Sequence, residues 1–275
     1  MFVKTLVELK ANGKEVAYTD GKLRAVDFLT KSDGLGFTVS DVRCAAGLDE
    51  VLWYKHHWEA NYIVEGKGTL EEMSSGQSWS LEPEVIFTVG PKDRHRFRAE
   101  QDLHVVSIFN PPLIGTEEYD EDGSFESSGK VLPGRDTMFV KRLDELRADG
   151  REKVVAGGSA RSIRILLQED RVGFTLCDVR LAAGNRNVLW YKHHWEANYI
   201  LHGQGKVCDL TTGECWPMEP GMMYIVGPED RHSMEAHTDL HLISVFNPAL
   251  QGDEQHDEEG TIPASGPLPP GMSPK

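Results

Sequence analysis

The sequence is short of cysteine, of positive charge and of long apolar runs, and each shortage removes a class of protein. Four cysteines in 275 residues are too few for a scaffold built on disulfides. Lysine and arginine number 29 against 44 aspartates and glutamates, a formal charge of −15. Most of the surface would repel a phosphate backbone or an anionic bilayer, so neither nucleic acid nor membrane is expected as a partner. No apolar stretch approaches the roughly 20 residues that span a bilayer. The opening MFVKTLVELK also lacks the apolar core and small-residue cleavage site of a signal peptide, and the cytoplasm is the expected compartment.

What the chain does carry is one unusual segment twice. WYKHHWEANYI, Trp53 to Ile63, returns unchanged at Trp190 to Ile200. The same ungapped offset of 137 residues superposes MFVK at Met1 on MFVK at Met138, FNP at Phe109 on FNP at Phe246, and VGPKDRH ending at His95 on VGPEDRH ending at His232. That period is too long for a solenoid unit and is the size of a compact domain. The 39% hydrophobic content suffices for a core in each half. The expected division is a first domain at 1–126, a linker at 127–136 where Ser, Gly and Pro cluster, a second domain at 137–260, and a flexible or partner-draped tail at 261–275. Cys44, Cys177, Cys208 and Cys215 each fall opposite a different residue type in the other half, so no thiol site is duplicated. Cys208 and Cys215 flank the turn-like LTTG; two free thiols in a reducing compartment are expected, with a cross-hairpin pair as the alternative.

FTVSDVRC, ANYIVEG, VIFTVG and LHVVSIF are short, rich in β-branched and aromatic residues, and bounded by Gly, Pro or Asp. Only TLVELKANG and RLDELRADG read as helical, one or two turns ending near Gly13 and Gly150. Each half is therefore expected to be all-β, a small sandwich or barrel, with a closed jelly roll as one way to bury such strands without exposed edges.

Chemistry concentrates in three places. If Tyr54 to Glu59 lie on a strand, His57 and Glu59 share a face with Lys55, and Tyr54, His56 and Trp58 share the other. A His and a carboxylate facing into a barrel suit a divalent metal or acid/base work. A charged outer face over an aromatic core is the bland alternative, and unchanged return in two diverged halves weighs against it. The second place is EPGMMYIVGPEDRH, where a turn, a strand and a rim loop bring back His232; its Asp230, like Asp93 before His95, is either an orienting carboxylate or a turn residue. The third is the loop from Phe109 to Gly123, repeated from Phe246 to Gly260, with Glu117 and Glu254 as site candidates in an otherwise solvated acidic run.

With those residues in view, both halves resemble ectoine synthase, a small cupin enzyme. The motifs Y-K-x-H-x-E-A-x-Y, E-G-x-G, P-G-x-x-Y-x-x-x-x-x-D-x-H and F-N-P-P-x-x-G-x-E recur in order at matching spacing. The resemblance implies two cupin jelly-roll barrels in tandem, a bicupin. It implies iron held by a Glu, a Tyr and a His, which in the second half are Glu196, Tyr224 and His232. Hard, oxygen-rich donors favour Fe2+, with zinc or another divalent metal as the alternative. The first half has Glu59 and His95 but Phe87 at the Tyr position. The family's substrate-facing groups correspond to Tyr191, His194, Glu254 and Arg164, with His256 on the closing loop; Asp27 stands where the first half would have the Arg. Ala160 replaces a Trp typical of the family.

By the same resemblance the expected activity is a metal-dependent, cyclising carbon-oxygen hydro-lyase. Its substrate would be an N-acyl diamino acid such as N-γ-acetyl-diaminobutyrate, closed to a cyclic amidine. The alternatives are another bicupin hydrolase, lyase or isomerase acting on a small amino-acid-derived molecule, and a non-catalytic binding bicupin. Single-domain relatives resemble head-to-tail dimers, so the tandem is expected to form an intramolecular pseudo-dimer, alone or within a further homo-oligomer.

Overall fold

The computed structural model describes residues 1–155 and 158–268. Its β-structure is antiparallel throughout and falls into two units, each with a seven-stranded and a four-stranded sheet. In the first unit the large sheet runs Phe139–Arg142, Val85–Val89, Trp58–Glu65, Leu103–Asn110, Thr38–Cys44, Leu23–Leu29 and Glu15–Tyr18. Its small sheet runs Asp49–Leu52, His95–Ala99, Gly68–Glu72 and Ser78–Leu81. The second unit repeats this order with Phe2–Thr5, Met222–Val226, Trp195–His202, Leu240–Asn247, Thr175–Leu181, Ala160–Leu166 and Glu152–Val155. Its small sheet is Arg186–Leu189, His232–Ala236, Gly205–Asp209 and Cys215–Met218.

In the small sheet of the first unit burial alternates along His95–Ala99. In the large sheets Val85–Val89 and Met222–Val226 are buried at every residue, so their apolar runs are nearly continuous. Each unit has an apolar core drawn from both of its sheets, with Leu70, Phe97 and Phe87 in the first and Val207, Met234 and Tyr224 in the second. The expected all-β jelly rolls are therefore present. The helices Leu6–Ala11 and Leu143–Ala148 are the two turns read from the sequence.

The units do not coincide with the sequence halves. Phe2–Thr5 pairs with Met222–Ile225, Val3 opposite Tyr224. Its repeat Phe139–Arg142 pairs with Val85–Thr88, Val140 opposite Phe87. By contact the units are Glu8–Leu143, and Met1–Val7 together with Asp144 onward. Clustered Ser, Gly and Pro mark where a chain bends, but they carry no signal for which sheet edge a four-residue strand joins. Residues expected as linker pack on the first unit: Trp58 Nε1 donates to the Leu132 carbonyl at 3.1 Å and Lys31 Nζ to that of Ser128 at 2.6 Å.

The expected tail also begins as structure. Ile262 is buried, and Gln168 Nε2 donates to the Ser265 carbonyl at 3.3 Å. Residues 269–275 lie outside the described residues. Cys208 and Cys215 lie opposite each other across a hairpin and are disulfide-bonded, which corrects the expectation of two free thiols: cross-strand register, invisible in residue spacing alone, brings them together. Cys44 and Cys177 are free and buried. Among the described residues no helix is long and apolar enough to cross a membrane.

Candidate active site

The second unit encloses a pocket lined by Ala160, Arg164, Tyr191, Glu196, Tyr224 and His256, among others. Sheet register builds it. Arg164 lies opposite Cys177, Cys177 opposite Ser244, Ser244 opposite Asn198, and Asn198 opposite Tyr224. Cross-strand neighbours share a face, so this row spans the inner face of the large sheet with a cation at one end and a phenol at the other. Glu196 joins the same face two residues before Asn198. A bulge between Arg164 and Leu166 shifts the register beside the guanidinium, a device that re-aims side chains at sites. The small sheet contributes Met234 to the lining, and His232 stands two residues before it on the same face.

Burial sets the charge states. Glu196, 4% exposed, has its carboxyl pushed up to about 7 by burial, partly offset by Asn198 and Ser244 beside it. Burial also drives the phenols of Tyr191 and Tyr224 well above their ordinary range and holds His232 down at about 4. His232 Nδ1 lies 3.1 Å from the Asp230 carbonyl oxygen. A carbonyl can only accept, so Nδ1 carries the proton and Nε2 offers a lone pair. The Asp230 carboxylate instead accepts from the Gly227 N–H at 2.8 Å, the turn role rather than the orienting one.

Glu196 Oε2 and His232 Nε2 are both buried without a hydrogen-bond partner. Tyr224, its ring centroid 6.1 Å from that of His232, gives its hydroxyl only a 3.4 Å contact with the Met234 sulfur. Among the described residues no three His, Cys, Asp or Glu side chains are grouped to hold a metal, so a site here needs the phenol as its third donor. Buried unpaired donors are costly, and a divalent cation would satisfy them. The Glu, Tyr and His side chains thus fit a metal in the second unit; Phe87 removes the third donor in the first.

The other expected site residues are distributed unevenly. Arg164 is buried and donates to Glu254 twice, to Oε2 at 2.8 Å and to its carbonyl at 2.6 Å. Burial opposes ionisation of Glu254, but the Gln251 and Gly252 N–H groups and Arg164 outweigh it and hold the carboxyl below its usual value. His256, kept low by burial and Arg164, meets the Tyr191 hydroxyl at 3.1 Å through Nε2. His194 is fully buried but is not in the lining; its Nε2 meets Ser265 Oγ at 2.9 Å. The strand expected at 54–59 and 191–196 begins only at Trp58 and Trp195. Tyr191 to His194 form a turn closed by the His194 N–H to the Tyr191 carbonyl at 3.3 Å. Alternation therefore does not apply there, and Tyr191 enters the pocket with Glu196 instead of opposing it. Asn198 and Ser244, joined by a 2.5 Å hydrogen bond, were not singled out from the sequence, although both recur in the first half as Asn61 and Ser107.

A jelly roll with ligand-type side chains on its inner face defines a cupin, and two in one chain a bicupin. Oxalate decarboxylase of Lactobacillus farciminis, solved as a formate complex, shares the fold with a TM-score of 0.65 over 91% of this chain and 87% of its own, at 12% identity. The chain belongs to the ectoine synthase family, whose description matches residues 1–129 and again 138–266. L-ectoine synthase of Oceanobacillus iheyensis is 42% identical over 126 residues, 46% of this chain and 97% of that protein. The enzyme of the same name from Shouchella clausii is 38% identical over 137 residues, 50% of this chain and 98% of its own. Each relative therefore corresponds to a single half.

Proposed function

We propose that the second unit is a metal-dependent cyclising hydro-lyase that closes an N-acyl diamino acid, such as N-γ-acetyl-diaminobutyrate, to a cyclic amidine with loss of water. The observation that carries this reading is the unpaired Glu196 Oε2 and His232 Nε2 beside Tyr224, at the opposite end of the row from Arg164. Glu196, Tyr224 and His232 would hold the ion, and their hard donor set suits Fe2+ better than zinc. When bound, it supplies Lewis acidity toward the acyl oxygen.

The chain's own residues do the rest. Arg164, fixed by Glu254, presents a cation to the substrate carboxylate. His256, neutral at pH 7, takes a proton from the substrate ammonium and so frees the amine to attack. The Tyr191 phenol, which burial keeps protonated, donates to the departing oxygen and is reprotonated by His256 across their hydrogen bond; the second proton the oxygen needs leaves the same substrate nitrogen by that path. A carbon–nitrogen bond forms, the acyl carbon–oxygen bond breaks, and the oxygen leaves as water. Enclosing both reacting ends in one barrel removes much of the orientational cost.

A second reading rests on Ala160, which lines the pocket where the resemblance implies a Trp: the cavity would take a bulkier amino-acid-derived substrate. Assaying anaerobically metallated protein on N-γ-acetyl-diaminobutyrate and larger N-acyl homologues separates the two. Ring closure of the acetylated acid is the expected result; bound metal without dehydration of any of them would overturn the cyclase reading.

A further inference from the structure

The first unit keeps its pocket but has changed its lining. The cavity volume is ≈ 60 Å³ in the first unit and ≈ 60 Å³ in the second, so the cavity has not collapsed around the lost ligand. The changes are chemical. At the offset of 137 residues, Tyr18 stands for Val155, Phe97 for Met234, Tyr119 for His256 and Phe125 for Ile262, all of them lining residues. These exchanges add three rings to the cavity wall and turn an imidazole into a phenol. Tyr119 and Phe125 stack with centroids 4.7 Å apart, and Tyr18 packs on Tyr119 at 4.9 Å, forming a continuous aromatic face.

Charge has changed with them. The row Asp27, Ser40, Ser107, Asn61 and Phe87 corresponds to the row of the second unit with Ser40 for Cys177 and with both ends replaced: a carboxyl stands for the guanidinium and a plain ring for the phenol. Asp27 sits at the equivalent bulge and accepts from Ser40 Oγ at 2.6 Å. Glu59 lines the same cavity, and no Lys or Arg does. The second pocket sets one cation against its carboxylate; the first has two carboxyl groups and none.

Carboxyls facing a low-dielectric cavity without a cation are unfavourable, whereas ring faces attract cations by their quadrupole. A metal is a poor candidate, because Phe87 stands where the second unit has the phenol of Tyr224, and without it no donor set of that kind is complete. We propose that the first unit is a binding site for a small organic cation, an ammonium or amidinium without a carboxylate, held between the aromatic wall and Asp27. The proposal is independent of the reaction assigned to the second unit, and no turnover is required of the first.

Benzamidinium, with its neutral isostere benzamide and the anion benzoate, tests this by calorimetry on the full chain; tetramethylammonium serves as a smaller cation. One cation per chain is expected, bound at least about tenfold more tightly than benzamide and not displaced by benzoate. Asp27→Asn should abolish that preference, and Glu196→Ala in the other pocket should leave it intact. Tyr119→Leu, which leaves every carboxyl in place, should weaken both cations several-fold and provides the test should Asp27→Asn fail to fold. Failure of both cations to bind at tens of millimolar, equal binding of benzamidinium and benzamide, or loss of binding in Glu196→Ala would each overturn the proposal.

Discussion

Three single changes separate the roles of individual side chains. Tyr224→Phe gives the second pocket the ring of Phe87, and with one of three donors gone metal affinity should fall by more than the roughly 10–100-fold that attends loss of a supporting contact. Metal analysis of Tyr224→Phe beside Glu59→Ala checks this: depletion by the Glu59 change alone would place the ion in the wrong unit. His194→Ala is expected to retain its metal, because Glu196, Tyr224 and His232 stay in place; Nε2 of His194 is engaged by Ser265 Oγ and only its Nδ1 is unpartnered. Turnover should fall less than about tenfold, through loosening of the segment that places Ile262 on the pocket wall; an apo protein would make His194 a ligand. The third change concerns pH. Burial raises Asp27 from 3.8 to about 6, with Glu117 adding to the rise and Ser40 opposing it. A raised folded-state value means that the group contributes stability below pH 3.8 and loses it as pH rises through about 6. Ligand-free Asp27→Asn should therefore be the more stable protein at pH 8, by up to ~3 kcal/mol, with the gain vanishing near pH 4. Melting curves at the two pH values decide it, and a destabilised variant at pH 8 would contradict the assignment.

Element geometry explains one further difference between the halves and shows what the sequence could and could not reveal. The turn before Val85–Val89 places Glu84 at φ 69°, where its counterpart Gly221 has φ 84°. A side chain in the left-handed region costs about 1 kcal/mol or more. Glu84→Gly keeps the backbone bonds of that turn, Glu84 N–H to the Ile63 carbonyl and Leu143 N–H to that of Glu84. It should therefore raise the urea midpoint by an amount worth about 0.5–1 kcal/mol; an unchanged or lower midpoint would show that contacts of the Glu84 side chain outweigh the strain. The strands from Thr38, Val85 and Leu103 were legible because β-branched and aromatic residues run between turn formers, and the two short helices because Gly13 and Gly150 end them. Alternation failed at Tyr191 to His194 because a turn, not a strand, carries them. Asn198 and Ser244 passed unnoticed because charge drew attention first, although their exact return in the other half was available as a signal. The inner-face row that joins Arg164 to Tyr224 depends on the register of five strands, and no local pattern encodes that.

At the scale of the whole chain, the exchanged four-residue strands decide how far either half can stand alone. A chain cut to residues 137–275 loses Phe2–Thr5 from the edge of its large sheet, exposing Met222–Ile225 where that strand had paired. It keeps Phe139–Arg142, which in the intact protein pairs with Val85–Thr88 and now has no sheet to join. The freed segment reads FVKR against FVKT in the missing one, so it fits the vacant edge by side chain as well as by backbone. An unpaired sheet edge beside an unpaired strand of matching sequence favours pairing between copies. Residues 137–275 should therefore form a dimer in which each copy supplies Phe139–Arg142 to the other, with Val140 opposite Tyr224 as Val3 is now. Because Tyr224 is a proposed ligand on that strand, metal retention should follow dimerisation. Light scattering and metal content over a dilution series check both together. Val140→Pro, which removes a ladder donor and disfavours the strand, should give a monomer or an aggregate poor in metal; a Val140→Pro monomer holding a full equivalent would show that the added strand is dispensable to the site.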